Sequence, residues 1–369
     1  MSQSKPSPSS SDSSDLNANA PIKSIGYAAT SPTDKLGPYK FERRPVGDTD
    51  VLIDIQYCGI CHSDIHSARN EWGGARYPLV PGHEIIGKVA RVGSHVTRFT
   101  VGETVGVGCF VGSCRSCDAC NQGFEQYCER GPTGTYNSKD KDGSITKGGY
   151  SKNIVVDHEF VLKISPKLDP AAAAPLLCAG ITTYSPLRHW NIQKGQKVGI
   201  VGLGGLGHMA LKFAHSFGAQ TYQFTRSQHK VEDAKKLGAD DVIISTDRDQ
   251  MKKHRGSFDF ILDTVSAKHD LNSLLGMLKT DGTLVLVGVP PEAPDLHPFS
   301  LIGQRKSLAG SLVGGIPETQ EMLDYCAEHG INSNVEVISV QKINEAYERT
   351  LNSDVKYRFV IDMSTLTEE

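Results

Sequence analysis

Residues 197–207 read Lys-Val-Gly-Ile-Val-Gly-Leu-Gly-Gly-Leu-Gly, an apolar run that leads straight into a glycine-rich turn. The run 197–201 predicts a buried strand, and apolar residues at a period near 3.6 over 205–217 predict a helix. A G-x-G-x-x-G turn between strand and helix permits close approach of a pyrophosphate to the helix N-terminus, whose free N–H groups favour anions. We therefore predict a dinucleotide site; the alternative is a glycine-rich turn without a ligand. Its predicted residues are Gly202, Gly204, Gly205, Leu206 and Gly207.

The region around this turn alternates apolar runs with helical periodicity. Such alternation is typical of an α/β fold with a doubly wound parallel sheet, the Rossmann arrangement. Further strands are predicted over 220–225, 241–244, 258–265 and 283–289, and a helix over 227–237.

The preceding region, residues 22–164, has a different pattern of short alternating runs broken by Gly and Pro. This pattern predicts a compact, largely antiparallel β-rich domain. A chain of 369 residues is long enough for two domains, each with its own core.

The end of the second predicted strand of the α/β region indicates which dinucleotide binds. An acidic residue usually stands there when the ribose 2′-hydroxyl is recognised. Here the sequence is Thr225-Arg226-Ser227, with Lys230 close behind. Two positive charges and a hydroxyl suit a 2′-phosphate, so we predict that NADP(H) is preferred over NAD(H). The alternative is that Arg226 and Lys230 are ordinary solvated charges.

Four of the nine cysteines lie within fifteen residues, at Cys114, Cys117, Cys120 and Cys128. The CxxCxxC start, followed by seven residues and a fourth Cys, predicts a tetrahedral structural zinc. A disulfide pair and an iron–sulfur cluster are the alternatives, although the close fourth Cys followed by Pro that ferredoxins show is missing.

A second metal site is predicted from residues that lie far apart in the sequence. Cys61, His83 and Cys178 offer two thiolates and one imidazole, and Glu84 follows His83 directly. Three protein ligands with an open fourth position are typical of catalytic zinc. Taken singly, each residue has a simpler interpretation, since a lone Cys is usually a small core residue.

These motifs resemble those of the zinc-dependent alcohol dehydrogenases of the medium-chain dehydrogenase/reductase superfamily. The resemblance is to the branch of cinnamyl alcohol dehydrogenases and broad-range aldehyde reductases, and it covers about residues 22–363. It implies a GroES-like β-rich catalytic domain over 21–178 and 314–369, with a structural-zinc lobe at 109–130 and a dinucleotide-binding domain over 179–313. The motifs are Cys-Gly-Ile-Cys-His-Ser-Asp at 58–64, Pro-Gly-His-Glu at 81–84, the four-cysteine lobe, Leu-Leu-Cys-Ala-Gly-Ile-Thr at 176–182, and the glycine-rich turn.

The resemblance also implies residue roles. Cys61, His83 and Cys178 would hold the catalytic zinc, with Glu84 able to approach as a transient ligand. Ser63 and His66 would form a proton relay, and Asp64 would orient the ligand imidazole. The remaining cofactor contacts implied are His62, Thr182, Gly288 and Val289.

Composition excludes several other classes of function. The net charge is -3 and the basic residues are interspersed with acids, so nucleic-acid binding is not expected. The longest uncharged stretch, 170–187, contains three prolines and makes a poor membrane span. Metal-binding thiolates favour a reducing, cytoplasmic location. Residues 1–20 hold eight serines among the first fourteen and resemble neither a signal nor a transit peptide, so a disordered tail is expected.

We therefore expect a zinc- and NADP(H)-dependent enzyme that oxidises primary alcohols and reduces aldehydes. Hydride can leave an alcohol carbon easily only when the oxygen has lost its proton, and zinc supplies the missing acidity. Trp72 and Tyr77 are candidates for an apolar substrate wall or for packing. Plant members of the resembling branch tend to place a bulky aromatic where this chain has Thr133, Gly134 and Thr135, and this departure favours a broad substrate range. The alternatives are a zinc polyol or threonine dehydrogenase and a non-catalytic NADPH-binding scaffold. The resemblance further implies a homodimer joined through edge strands of the nucleotide-binding sheet, with a tetramer as the alternative.

Overall fold

The structure, a computed structural model, describes residues 20–290 and 292–367. The tail predicted over 1–20 lies outside the described residues apart from Ala20. No helix in these two ranges has the length and apolar character needed to cross a lipid bilayer.

The first part of the chain is β-rich and mainly antiparallel, as predicted. Alternation explains the central strand: Val51, Ile53 and Ile55 face the core, while Asp54 and Gln56 point outward. Its strands are β1 (Ile22–Ala28), β2 (Gly37–Arg43), β3 (Asp50–Gly59), β4 (Ile85–Val92), β5 (Thr104–Val107), β6 (Phe110–Gly112), β7 (Thr133–Gly134), β8 (Asn153–Asp157) and β9 (Leu162–Lys163). Its helices are α1 (His62–Ala68), α2 (Asp118–Asn121), α3 (Pro170–Ala173) and α4 (Ala179–His189).

The second part contains a six-stranded parallel sheet with the order β12-β11-β10-β13-β14-β15. The predicted doubly wound sheet is therefore confirmed. Its strands are β10 (Lys197–Val201), β11 (Gln220–Thr225), β12 (Asp241–Ile244), β13 (Phe258–Asp263), β14 (Leu278–Leu286) and β15 (Ser307–Gly310). Its helices are α5 (Gly207–Ser216), α6 (Val231–Lys236), α7 (Arg248–Lys253), α8 (Leu271–Met277) and α9 (Phe299–Ile302).

Element ends differ from the sequence prediction at several places. Helix α5 begins at Gly207 rather than Gly205, because the backbone up to Leu206 is used by the turn. The helix predicted over 227–237 is a short 3-10 turn followed by α6. Strand β14 begins at Leu278, five residues before the predicted start.

The end of the chain returns to the first sheet. After α10 (Ile316–His329) come β16 (Val335–Ser339), α11 (Ile343–Leu351) and β17 (Arg358–Asp362). Strand β17 pairs antiparallel with β3, so that Val360 lies opposite Gly59. This pairing supports a discontinuous first domain, although the boundaries at 178/179 and 313/314 stay predictions.

One hydrophobic core joins the two parts of the molecule. It contains Leu177 and Tyr184 from the segment around α4, Met322 from α10, Val198 from β10 and Val360 from β17. Helix α4 packs against α5 and α10, and α10 packs against β9, so these helices connect the two parts of the molecule.

Candidate active site

The predicted metal ligands are positioned by a buried carboxylate. Cys61 is the N-cap of α1, and Asp64 accepts a hydrogen bond from its backbone N–H at 2.9 Å. The other Asp64 oxygen accepts from Gly82 N–H at 3.0 Å and lies 2.9 Å from His83 Nδ1. Asp64 is fully buried, so it fixes the ring with Nδ1 protonated and leaves Nε2 free to bind a metal.

Four candidate ligands lie together. The ligand atoms of Cys61, His83, Glu84 and Cys178 all lie within 4.8 Å of one another, and all four residues are buried. The two sulfurs are 3.9 Å apart. Two thiolates on a tetrahedral zinc at about 2.3 Å would be separated by about 3.8 Å, whereas a disulfide requires about 2 Å. Both cysteines are free. The donor set and its spacing therefore fit zinc.

Each of the two thiols is the N-cap of a helix, Cys61 of α1 and Cys178 of α4, where the helix dipole stabilises negative charge. The helix position favours a thiolate at both residues, although hydrogen bonds with Cys109 and Cys61, together with burial, raise the pKa of Cys178 well above its usual range. The hydrogen bond from Cys178 and the charge of Arg358 lower the pKa of Cys61 well below its usual range.

Arg358 is a site residue that the sequence analysis did not identify. Its guanidinium lies 2.9 Å from Glu84 Oε1 and 3.5 Å from Cys61 Sγ, and it donates to the Ile60 carbonyl at 3.2 Å. Burial raises the pKa of Glu84 to about 7, although the charge of Arg358 acts in the opposite direction. A signal for this role was present, because an Arg at the start of the apolar strand β17 needs a buried anionic partner.

The predicted relay residues face the same cleft. Ser63 Oγ lies 3.6 Å from Cys61 Sγ, next to the predicted metal position. His66 pairs through Nδ1 with the Glu71 carboxylate, and its ring lies tilted against Trp72, with the ring centroids 4.8 Å apart. Within the described ranges no hydrogen bond joins Ser63 to His66, so a relay between them needs a bridging hydroxyl or water.

The cleft between the two parts has a volume of about 710 Å³. Cys61, Ser63, His66 and Trp72 line one side, and the glycine-rich turn lines the other. A Cβ added at Gly204 would meet no atom within 4 Å, so the absent side chain leaves open space for a ligand. The predicted cofactor residues that line the cleft are His62, Gly202, Gly204, Gly205, Leu206, Thr225, Arg226, Ser227, Lys230 and Val289.

Three predicted cofactor residues, Thr182, Gly207 and Gly288, are not among the residues that line the cleft. Thr182 is buried in the first turn of α4. A Cβ on Gly207 would lie 2.0 Å from the Gly202 carbonyl, and one on Gly288 would lie 2.4 Å from the Val265 carbonyl. These two glycines allow segments of backbone to approach one another closely.

The far end of the cleft carries positive charge. Arg226 is exposed and makes no ion pair within the described residues, so its guanidinium is available to an anion. Lys230 is tied to the Leu203 carbonyl at 3.1 Å, and its pKa is lowered by burial. The nearby Asp233 is paired with Lys356 at 2.5 Å. Arg226 and Ser227 are therefore the groups best placed for a 2′-phosphate.

His62 faces the same space nearer the metal ligands. Burial lowers its pKa, and the charge of Arg358 contributes in the same direction. A neutral imidazole can still donate one hydrogen bond to a phosphate oxygen.

The four-cysteine lobe forms a second cluster. Cys114, Cys117, Cys120 and Cys128 place their sulfurs within 4.8 Å of one another, with 3.9 Å between those of Cys114 and Cys120. All four are free, so the structure does not show the alternative disulfide pair. The spacing matches that of the first cluster and fits a tetrahedral zinc in the same way.

The lobe rests on the segment where the chain crosses back toward the first domain. Glu125 accepts a hydrogen bond from Ile316 N–H at 2.9 Å, and the Tyr127 hydroxyl accepts from Leu312 N–H at 3.2 Å. The lobe therefore contacts the segment from which α10 begins.

Two further residues beside the site were not predicted. The Tyr136 hydroxyl donates toward the Ser63 carbonyl and Ser67 Oγ, each at 3.2 Å, and its ring lies 5.9 Å from the His83 ring. The Cys109 thiol contacts Cys178 and donates to the Leu177 carbonyl. Nothing in their local sequence pointed to these contacts.

Trp72 and Tyr77, each predicted as either a wall of the substrate pocket or a packing residue, have different roles in the structure. Trp72 lines the cleft with 53% of its surface exposed. Tyr77 donates to the Ala68 carbonyl at 2.8 Å and packs against the core of the first domain.

Comparison with known proteins agrees with this geometry. Residues 47–166 match the family "Alcohol dehydrogenase GroES-like domain", and residues 205–328 match "Zinc-binding dehydrogenase". The NADP-dependent alcohol dehydrogenase C 1 of Mycolicibacterium smegmatis is 56% identical over 341 residues, which cover 92% of this chain and 98% of that protein. The aldehyde reductase YahK of Escherichia coli is 55% identical over 353 residues, covering 94% and 99%.

Solved structures show the same similarity. A cinnamyl alcohol dehydrogenase from Sorghum bicolor superimposes with a TM-score of 0.92 at 45% identity, covering 94% of this chain and 99% of that one. A cinnamyl alcohol dehydrogenase (CAD) from Helicobacter pylori, solved with NADP(H), gives 0.89 at 43% identity, covering 94% and 100%. From the fold, the two cysteine-containing clusters and these matches, the chain belongs to the zinc-binding alcohol dehydrogenase family, in the branch of the cinnamyl alcohol dehydrogenases and NADP-dependent aldehyde reductases.

Proposed function

We propose that the protein catalyses the reversible, zinc- and NADP(H)-dependent interconversion of primary alcohols and aldehydes. The observation that carries the proposal is that a Cys61–His83–Cys178 ligand set and a glycine-rich dinucleotide turn open into one cleft of about 710 Å³. Hydride transfer requires this juxtaposition, because the nicotinamide must meet the substrate carbon.

When bound by Cys61, His83 and Cys178, zinc acts as a Lewis acid that increases the acidity of an alcohol or the electrophilicity of an aldehyde. Asp64 holds His83 in the ligating tautomer. Ser63 Oγ is placed to accept or deliver the proton of the substrate oxygen. His66 can accept a proton at Nε2, because Nδ1 donates to Glu71.

Substrate range follows from the walls of the cleft. Trp72 presents a broad apolar face, which suits aryl or medium-chain substrates. The small residues at 133–135 do not line this cleft, and Thr135 is buried with its hydroxyl on the Gly108 carbonyl, so the broad range rests on Trp72 alone. The names of relatives point to varied substrates, since they include an 8-hydroxygeraniol dehydrogenase and a probable mannitol dehydrogenase.

The proposal extends to the assembly and location of the protein. Strand β15 is an edge of the six-stranded sheet, and Phe299 and Ile302 of the neighbouring α9 are 71% and 66% exposed. An unpaired edge strand beside exposed apolar side chains favours pairing with a second copy of the chain. Nine free cysteines, eight of them in or beside the two clusters and the core of the first domain, favour a reducing compartment such as the cytoplasm.

The test combines elemental analysis with a variant of the relay. Active protein should hold two zinc atoms per chain and reduce benzaldehyde, cinnamaldehyde and butanal with NADPH. Ser63→Ala should lower kcat by about 100-fold or more while the Kd for NADPH stays within about twofold. Ser94→Ala, at an exposed position on the far surface, is the matched control.

Two results would contradict the proposal. Turnover of a polyol or threonine alone would indicate the alternative dehydrogenases. NADPH binding without turnover of any aldehyde or alcohol, in protein with both zinc atoms present, would indicate a non-catalytic scaffold.

A further inference from the structure

One wall of the cofactor cleft is a short loop, residues 264–268, between β13 and α8. Thr264 Oγ1 donates to the Val201 carbonyl at 2.7 Å, and a Cβ added at Gly202 would lie 2.9 Å from that hydroxyl. On its other side, the Val265 carbonyl lies so close to Gly288 that a Cβ there would approach to 2.4 Å. The loop is therefore packed between the glycine-rich turn and the end of β14.

His269 follows this loop in the sequence, and its ring contacts both the loop and the end of β13. Its Nδ1 lies 2.8 Å from the Ala267 carbonyl, and its Nε2 lies 2.6 Å from Asp263 Oδ2. Asp263 is 2% exposed, and its other oxygen accepts from Val265 N–H at 3.0 Å. The ring thus connects the last residue of β13 with the middle of the loop.

Both partners of the ring are oxygen atoms that accept hydrogen bonds. A neutral imidazole has only one N–H, so it would place a nitrogen lone pair against an oxygen. An imidazolium ion donates from both nitrogens and satisfies both partners. The geometry around His269 is therefore complementary to its protonated form.

Resting on the proposed function, we infer that protonated His269, acting through Asp263, is a positioning residue that fixes the 264–268 loop as a wall of the NADP(H) cleft. Cofactor affinity is then coupled to the protonation of this side chain. A loop that is already ordered costs less conformational entropy when the cofactor binds. Loss of the proton breaks one of the two hydrogen bonds and loosens the wall.

The charges around His269 give the direction of the effect. The hydrogen bond with Asp263 raises the pKa of His269, burial opposes it, and the Ala267 carbonyl and the charge of Asp270 add to the increase. The loop's other charges, Lys268 and its partner Glu292, are paired with each other at 2.7 Å. Because the pKa is raised in the folded protein, the positioning is complete below the ordinary value of about 6.5 and is lost as the pH rises through the raised value.

The experiment measures NADPH and NADH binding to the zinc-loaded protein between pH 6.5 and 9.5 by nucleotide fluorescence. NADH is included because the 2′-phosphate of NADPH itself ionises near pH 6. For both nucleotides, the Kd of the unmodified protein should rise about fivefold as the pH increases through the titration of His269. A change of this size is typical of coupling between two linked sites. His269→Gln should remove this step, while His95→Gln, at an exposed position in the first domain, should keep it.

A second measurement does not depend on the variant folding. The midpoint of the His269 imidazole signal, followed by NMR, should rise by about 0.7 pH unit when NADPH is bound, because coupling is reciprocal. In the steady state, His269→Gln should raise KM for the cofactor near pH 6.5, where the unmodified ring is protonated, with little change in kcat, and the KM values of the two proteins should converge at high pH.

The possible failures can be distinguished. Two results would overturn the inference and leave the proposed function intact. One is a His269 titration midpoint that is the same with and without bound NADPH. The other is a pH dependence of the nucleotide Kd that is unchanged in His269→Gln. Absence of NADPH and NADH binding to the unmodified protein would overturn both.

Discussion

Replacement of Arg226 tests how the protein selects its cofactor. Its guanidinium lies at the end of β11 in the cleft, exposed and without an acidic partner in the described residues, next to Ser227. Since Lys230 is engaged with the Leu203 carbonyl, Arg226 is the principal positive charge available to a 2′-phosphate.

The magnitude follows from the type of contact that would be lost. A hydrogen bond to a charged group contributes about 1.5–3 kcal/mol, and an exposed site belongs at the low end. A loss of about 1.4 kcal/mol corresponds to a tenfold weaker Kd. Arg226→Ala should therefore weaken NADPH binding about tenfold and change NADH binding by less than about twofold. Arg226→Asp should go further, because its carboxylate repels a phosphate and can accept hydrogen bonds from a ribose.

The assay compares the Kd of both nucleotides for the three proteins at two ionic strengths. Arg248→Ala is the matched control, since this exposed arginine on α7 does not line the cleft. The advantage of NADPH in the unmodified protein should shrink at high salt. An NADPH-to-NADH preference that is unchanged in Arg226→Asp would refute this explanation.

Three other outcomes are expected. Cys117→Ser should reduce the zinc content from two atoms to one per chain and lower Tm by about 5–10 °C, while NADPH still binds; an unchanged zinc content would contradict the lobe as a metal site. Burial raises the pKa of Asp50, but hydrogen bonds from Arg44 and Lys141 outweigh burial, so the net shift is downward. The ionised Asp50 and its two partners therefore stabilise the fold above about pH 4, and this contribution is lost as the pH falls. Lys141→Met should therefore shift the midpoint of acid unfolding, followed by circular dichroism, to higher pH by a fraction of a unit. Ile302→Asp should convert the proposed dimer to monomer in analytical ultracentrifugation, and an unchanged mass would place the interface elsewhere.

Patterns that are local in the sequence were sufficient for much of the fold. Strands β10 to β12 have the predicted bounds. The reason is clearest for β10, because a buried parallel strand is an apolar run that ends at turn residues. Helix starts were less accurate: α5 begins after the glycines rather than among them, since those residues form the turn. The four-cysteine lobe was equally visible, because all its ligands lie in one short segment.

Residues that act through long-range contacts were harder to predict. Arg358 reaches Cys61 across 297 residues, and Tyr136 reaches Ser63 across 73. The sequence did not identify His269 as a site residue, because a single histidine in a polar loop belongs to no recognisable motif. Only the three-dimensional structure shows that both its ring nitrogens face oxygens.

The two cysteine clusters differ in how soon they are complete as the chain leaves the ribosome. The ends of the lobe are 14 residues apart, so all its ligands emerge almost together. In the other cluster Cys178 follows Cys61 by 117 residues, and Arg358 follows about 180 residues later. At typical translation rates this last interval lasts roughly 10–40 s. The lobe can therefore acquire its metal early in synthesis, whereas the cluster of Cys61, His83 and Cys178 gains its Arg358 neighbour only when the chain is nearly complete.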